Sequence, residues 1–111
     1  MTIMGKIHSL TRSNVKRIVP RRTGVYRLYK SQNGPVRYVG SSKSLHQRLK
    51  DWASDNKYRY FEYEFEDTID QAYKRESALF HQFGGTEKLD NEKHPPRPTG
   101  RVKCPSCSLH D

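Results

Sequence analysis

Two stretches in the first half of the chain have the residue pattern of β-strands joined by a tight turn. Residues 24–30 alternate between two faces, and residues 36–40 are again rich in β-branched and aromatic side chains. Asn33 and Gly34 lie between them, and both residue types accept the positive φ that a tight turn demands. The pattern predicts a β-hairpin that leads directly into the next element.

A third stretch, residues 58–66, alternates more regularly than any other part of the chain. Aromatic side chains fall on one face and carboxylates on the other, which is typical of a half-buried strand. The two sets are Phe61, Tyr63 and Phe65 against Glu62, Glu64 and Glu66. We expect the aromatic face to meet the core and the glutamates to point to solvent.

A helix is predicted to follow the hairpin. Residues 44–47, Ser-Leu-His-Gln, fit a capping box, so the helix should begin near Leu45. Leu45, Leu49 and Trp52 recur at helical spacing and predict its buried stripe. Arg48 lies on the border of this stripe, and its side chain is therefore expected to point partly inward.

A second helix, over residues 68–83, carries a carboxylate in its apolar stripe. Glu76 follows Ala72 by one turn and precedes Phe80 by one turn. Burying an unpaired carboxylate is costly, so Glu76 must be paired, hydrated in a cleft or bound to a cation. A salt bridge to Arg48 or Arg75 is the structural alternative to a metal ion.

The composition points to a polyanionic partner. The chain has 111 residues, enough for one domain, and 21 basic against 12 acidic residues give a net charge of +9. Residues 1–22 contain no acid and include a short predicted helix from about Ser9 to Val19. The cations expected to contact nucleic acid are Lys16, Arg17, Arg21, Arg22 and Lys43.

No apolar run approaches the ~20 residues that a membrane-spanning helix needs, and no secretory segment follows Met1. The sequence therefore predicts a cytoplasmic protein whose partner is nucleic acid and not a membrane.

The last part of the chain, residues 94–111, begins with a proline-rich run and ends with a possible zinc motif. Cys104 and Cys107 form a CxxC pair, which is half of a zinc site, and His94 and His110 can complete it. The alternative is a tail without metal.

Two tripeptides in the hairpin, Gly24-Val25-Tyr26 and Tyr38-Val39-Gly40, resemble the paired motifs of the GIY-YIG nuclease family. Arg48 follows the second motif at the family's spacing. Glu76 lies in a later helix where the family has its metal-binding glutamate, and Asn91 lies in the loop where it has an asparagine. The resemblance covers residues 23–91.

The pattern of elements and the resemblance together predict an α+β fold. A small, mainly antiparallel sheet of three strands, near residues 24–30, 36–40 and 58–66, is flanked by helices near residues 44–54 and 68–83. We expect three segments: a basic N-terminal arm (1–22), a GIY-YIG-like nuclease domain (23–93) and the cysteine-containing tail (94–111).

The resemblance also implies metal-dependent hydrolysis of DNA phosphodiester bonds. In this interpretation Glu76 holds one Mg²⁺ or Mn²⁺ ion, Arg48 contacts the phosphate, and Asn91 supports the metal loop or a phosphate. The resemblance implies that a tyrosine acts as general base. It leaves open whether Tyr26 or Tyr38 does so.

Two positions depart from the family's pattern. Ser41 stands where many members have lysine, and Trp52 stands where several have histidine. Two other functions stay open, a nucleic-acid-binding module that does not cleave and a zinc-dependent interaction protein that uses the tail. The nuclease is favoured because a binding module has no need of an inward carboxylate that faces a polyanion.

Overall fold

The computed structural model describes residues 7–91, which form one sheet with helices on both of its faces. In chain order the elements are β1 (His8–Ser9), α1 (Arg12–Ile18), β2 (Gly24–Tyr29), β3 (Tyr38–Ser42), α2 (Leu45–Asp55), β4 (Tyr60–Phe65), α3 (Ile69–Gln82) and α4 (Gly85–Lys88). The strand order is β1-β4-β2-β3, and every neighbouring pair is antiparallel. The predicted α+β class is confirmed.

The N-terminal part of the chain adds a strand that the sequence pattern did not predict. β1 contains only two residues, His8 and Ser9, which pair with Phe61 and Tyr60 of β4. α1 is shorter than predicted and begins after Thr11, whose hydroxyl accepts a hydrogen bond from the backbone N–H of Asn14 at 3.1 Å. The sheet therefore has four strands where three were expected.

The predicted hairpin is formed by β2 and β3. Tyr26 lies opposite Gly40 and Leu28 opposite Tyr38, while the connecting turn is closed by a hydrogen bond from Gly34 N–H to the carbonyl of Ser31 at 3.2 Å. β3 is the last strand of the described sheet. It contacts both α2 and α3, so side chains from both helical layers meet at this strand.

The core is divided by the sheet into two layers. One layer, which we call the α2 face, packs side chains of β2 and β4 against α1 and α2, and the other, the α3 face, packs them against α3. The α2 face includes Tyr26, Leu28, Leu45, Leu49 and Phe61, and the α3 face includes Val25, Val39, Ala72, Leu79 and Phe80.

The helix boundaries follow local capping chemistry. The Ser44 hydroxyl accepts the N–H of Gln47 at 3.4 Å, as the capping box predicts, but the Gln47 side chain bonds to Asp51 and not back to Ser44. Thr68 caps α3 by accepting the N–H of Gln71 at 3.1 Å. α3 ends at Gln82.

The predicted stop after α3 is confirmed by two glycines. Gly84 and Gly85 have φ values of 98° and 61°, in the left-handed region that favours glycine. The short helix α4 follows and was not predicted.

The prediction that the β4 glutamates face solvent is wrong. Glu62 and Glu64 are 6% and 4% exposed and lie on the α3 face. Glu62 is paired with Arg27 of the neighbouring strand at 2.7 Å and also accepts a hydrogen bond from the Tyr29 hydroxyl. Glu64 is paired with Arg75 of α3 at 2.7 Å. Because α3 covers this face, both carboxylates are buried and need the cationic partners.

Between residues 7 and 91, no helix is long and apolar enough to cross a membrane.

Candidate active site

The Tyr26 side chain lies across the edge strand of the sheet. Tyr26 and Gly40 are directly paired between β2 and β3, and Tyr26 is only 2% exposed. A Cβ atom at Gly40 would collide with the end of the Tyr26 ring, at Cζ and the hydroxyl oxygen. The absence of a side chain at Gly40 is therefore what lets the phenol reach the sheet edge.

The Tyr26 hydroxyl oxygen is held by an indole. Trp52 Nε1 donates a hydrogen bond to it at 2.9 Å, and the ring of Tyr38 lies 6.4 Å from the Tyr26 ring and 4.8 Å from that of Trp52. Burial raises the pKa of Tyr26, the Trp52 hydrogen bond lowers it, Tyr38 raises it and the charge of Arg48 lowers it, with a net increase. Tyr26 is therefore a neutral phenol at neutral pH.

The carboxylate of Glu76 approaches the same strand from the other face. Glu76 lies on α3 and is 8% exposed, and the Ser41 hydroxyl donates a hydrogen bond to its Oε1 at 2.6 Å. Burial raises the pKa of Glu76 to about 7, although the Ser41 hydrogen bond and the charge of Arg48 both lower it. Burial therefore favours the protonated form of Glu76 more than it does for an exposed glutamate.

These groups converge at the middle of β3. Successive residues of a strand point to opposite faces, so Gly40 receives Tyr26 on the α2 face while Ser41 contacts Glu76 on the α3 face. Arg48 acts electrostatically on both Tyr26 and Glu76. The structure thus brings together four of the predicted site residues, namely Tyr26, Tyr38, Arg48 and Glu76.

Arg48 lies on the solvent side of this cluster. It is exposed on α2, one turn before Trp52, and lines a shallow cleft with Trp52, Asp51 and Asp55. Within the described range, no arginine or lysine forms an ion pair with Glu76, because Arg75 is paired with Glu64 instead. The structural salt bridge considered for Glu76 is therefore not formed by these residues.

Asn91 is placed on the backbone of β3. Its Nδ2 donates to the carbonyl of Val39 at 2.9 Å, and its Oδ1 accepts the N–H of Val39 at 3.1 Å. Asn91 is 8% exposed, so the amide uses both of its ends to satisfy the edge strand. The preceding Asp90 fixes this segment by accepting a hydrogen bond from the Arg37 side chain at 2.6 Å.

The side chains at the cluster suit one hard divalent cation. Among residues 7–91 no group of three or more His, Cys, Asp or Glu side chains is arranged to hold a metal ion. The donors at β3 are oxygens, from the Glu76 carboxylate and the Ser41 hydroxyl. A site with one carboxylate and few protein ligands fits Mg²⁺, which keeps several waters and takes substrate phosphate as a ligand.

Two of the cations predicted to contact nucleic acid are engaged within the protein. Arg17 donates to the side chain of Asn14 at 3.0 Å, and the Arg22 guanidinium lies 4.2 Å from the centre of the Phe65 ring. Both residues are nevertheless exposed.

The other three predicted cations, Lys16, Arg21 and Lys43, are exposed, and the first two line a cleft between α1 and α2. The predicted zinc ligands lie outside the described residues. They are His94, Cys104, Cys107 and His110.

Two residues near this region have contacts that sequence reasoning missed. His46 is 8% exposed, and its Nδ1 lies 2.8 Å from the carbonyl oxygen of Val19. Ser41 was noted only as a departure from the family's lysine. Because side chains alternate along β3, Ser41 lies on the same face as Val39. This alternation could have predicted that Ser41 faces α3.

The antiparallel sheet and the helical layers on its two faces have a GIY-YIG-like fold. Two similar solved structures are point mutants of the GIY-YIG N-terminal endonuclease domain of UvrC from Thermotoga maritima, each bound to a catalytic divalent cation. They are 17% and 16% identical to this chain, with a TM-score of 0.53 in both cases. Each superposition covers 68% of this chain and 96% of the UvrC domain. The sequence itself matches no protein-family model and no curated protein.

Proposed function

We propose that this protein is a metal-dependent endonuclease that hydrolyses phosphodiester bonds in DNA. The observation that carries the proposal is the buried Glu76, which accepts a hydrogen bond from Ser41 but forms no ion pair with any described residue, although the more distant charge of Arg48 acts on it. A buried carboxylate in this state is unfavourable when ionised, and a divalent cation removes that penalty. The likeness to endonuclease domains that hold a catalytic divalent cation supports the same role.

Glu76 and Ser41 are the residues that would hold the ion. Ser41 occupies Oε1 of the carboxylate and so fixes its orientation, which leaves Oε2 for a metal. When bound, Mg²⁺ or Mn²⁺ would activate a water molecule and stabilise negative charge on the phosphate oxygens. The proposal needs a single ion because, of the three buried carboxylates between residues 7 and 91, Glu62 and Glu64 are already paired with Arg27 and Arg75, which leaves Glu76.

The two tyrosines would orient the attacking water and take its proton. Tyr26 is held by Trp52, and Tyr38 stacks beside both rings, so the phenol oxygens have defined positions before substrate binds. The raised pKa of Tyr26 keeps its phenol protonated in the free protein, and added positive charge at Glu76 lowers that pKa. Tyr26 can accept the proton only after such a change.

Arg48 would contact the phosphate under attack. Its guanidinium is exposed beside Trp52, and its planar fork matches two phosphate oxygens. The two acids nearest on the same helix face, Asp51 and Asp55, limit the positive charge there. A net charge of +9 over the chain supplies the general attraction for DNA.

The experiment that tests this function is cleavage of supercoiled plasmid, branched DNA and single-stranded DNA with Mg²⁺ or Mn²⁺. Wild type is compared with Glu76→Gln and with Glu87→Gln, a matched change at an exposed glutamate of α4. We expect cleavage by wild type and Glu87→Gln and none by Glu76→Gln. Equal cleavage by all three proteins would refute the role of Glu76.

A second candidate is a DNA-binding module that does not cleave. The observation that favours it is the environment of Tyr26, which burial keeps protonated and which Trp52 contacts with a group that cannot accept a proton. Tight, salt-sensitive DNA binding by wild type without cleavage in either metal would establish this alternative.

A further inference from the structure

A second group of cations lines a cleft on the side of α2 that faces α1. The cleft has a volume of about 400 Å³. Its lining residues are Arg12, Ser13, Lys16, Arg21, His46 and Lys50. The lining side chains include four permanent cations, a hydroxyl and an imidazole but no carboxylate, and the wall inside the cleft is formed mostly by their carbon atoms. We call it the basic cleft.

The cations come from two helices and from the loop after α1. Arg12 and Lys16 are one turn apart on α1, and Lys50 lies on α2. The like charges of Arg12 and Lys16 repel one another at this spacing, and within the lining no acid offsets them. A bound anion would relieve this repulsion. Uncompensated positive charge of this kind favours the binding of an anion.

The walls of the basic cleft are fixed by contacts between α1 and α2. His46 is buried, and its Nδ1 lies 2.8 Å from the carbonyl of Val19, at the end of α1. Because a carbonyl only accepts, Nδ1 must carry the proton. The N–H of Leu45 also donates to the carbonyl of Arg22 at 2.9 Å. The cleft is therefore organised before any ligand binds.

We infer that the basic cleft binds a backbone phosphate of the DNA substrate, away from the bond that is cleaved. This inference rests on the proposed function for its ligand. Guanidinium, ammonium and hydroxyl groups are the donors that proteins use for DNA phosphates. The open cleft accommodates a phosphate that remains part of a strand.

The basic cleft and Arg48 lie on different sides of α2. Lys50 follows Arg48 by two residues, so their side chains leave α2 in nearly opposite directions. A helix with its side chains is about 10–12 Å across. The phosphate in the basic cleft is therefore a different one from the phosphate at Arg48.

Binding can be tested without cleavage in the full-length Glu76→Gln protein. In this background Lys16→Gln with Lys50→Gln removes two charges from the cleft. Lys57→Gln with Lys74→Gln removes two exposed charges that do not line it. Removing the cations that neutralise one phosphate should make the slope of log affinity against log salt concentration less steep by about 0.9. The loss of affinity between ~50 and ~200 mM salt should then be roughly threefold smaller. We expect this only for the cleft pair. Equal losses for both pairs would refute the site.

The contacted phosphate can then be located with duplexes that carry one neutral methylphosphonate at successive positions. The parent protein should lose affinity at one position that is not the scissile phosphate, and the Lys16/Lys50 variant should lose nothing further there. A uniform profile in the parent protein would overturn the inference. Strong competition by millimolar inorganic phosphate at the cleft, with no position-dependent effect in DNA, would overturn it as well and make the cleft a site for free anions.

Failure of the proposed nuclease is seen separately, as absence of cleavage by wild type, because these binding measurements need no turnover.

Discussion

The hydroxyl of Ser41 donates a hydrogen bond of 2.6 Å to Oε1 of Glu76, across the gap between the edge strand and α3. This contact is made by a residue that replaces the lysine found in many GIY-YIG nucleases. It opposes the effect of burial on the Glu76 pKa and fixes the orientation of the carboxylate. Ser41 is therefore a positioning residue for the proposed metal ligand.

Removing the hydroxyl should weaken metal binding. With Ser41→Ala, we expect the metal concentration for half-maximal cleavage to rise about 10- to 100-fold, as for other groups that orient a metal ligand. Ser41→Thr keeps the hydroxyl and should restore most of the affinity. Titration of Mg²⁺ and Mn²⁺ in a cleavage assay measures this metal requirement. The matched control is Ser54→Ala, at an exposed position of α2. An unchanged metal requirement in Ser41→Ala would contradict the positioning role.

The metal-free protein should lose stability with rising pH because of Glu76. Its pKa is about 7 when folded and 4.5 in the unfolded reference, so folding takes up a proton between these values. The free energy of unfolding should therefore fall across this window, by at most about 3 kcal/mol from this residue. Glu76→Gln does not titrate and should be more stable than wild type at about pH 8, with little difference near pH 4.

Urea unfolding in the presence of EDTA measures this pH dependence. Adding Mg²⁺ should then raise the stability of wild type and leave Glu76→Gln unchanged. Parallel stability curves for the two proteins across the pH range would contradict the assignment.

Replacing the indole should affect proton transfer at Tyr26. Trp52→Phe removes the Nε1–H donor and keeps an aromatic ring beside Tyr38. Loss of a hydrogen bond to a developing phenolate should lower the single-turnover cleavage rate about 10-fold. The pH at which this rate increases should shift upward.

The matching control is Trp52→Phe combined with Tyr26→Phe. If Trp52 acts through Tyr26, the double variant should cleave no more slowly than Tyr26→Phe alone. A further loss of the same size in the double variant would mean that Trp52 acts by another route.

Asn91 should contribute to stability more than to chemistry. Asn91→Ala leaves the N–H and C=O of Val39 without their partners, and each buried unsatisfied group costs about 1–3 kcal/mol. We expect a loss of about 2–4 kcal/mol in the free energy of unfolding, measured by urea titration. Cleavage per folded molecule should remain near that of wild type. Unchanged stability together with abolished cleavage would instead place Asn91 in the reaction.

Much of the fold could be predicted because its signals are local. The hairpin depends on alternating residues and a short turn, and the start of α2 depends on Ser44, which is three residues from the N–H that it accepts. The end of α3 depends on Gly84 and Gly85, which adopt the positive φ that the pattern demands. The strand β1, with two residues, is too short to give a periodic pattern.

The details that were missed depend on contacts between distant residues. Alternation along β4 separates Glu62 from Phe61, but it does not show which face α3 will cover. The buried Glu62 is paired with Arg27, which lies opposite it in the sheet but 35 residues earlier in the chain. The Ser41–Glu76 contact also spans 35 residues, and no local pattern encodes either pair.

The close fit between Gly40 and the Tyr26 ring means that the two tripeptides of the signature constrain each other's size. A larger residue at position 40 is tolerated only if the ring at position 26 shrinks or moves. A related chain that does not cleave DNA would thus keep both residues for as long as it kept this fit. The paired motif therefore records the shape of the hairpin, and the proposed hydrolysis is better judged at positions 41, 48 and 76.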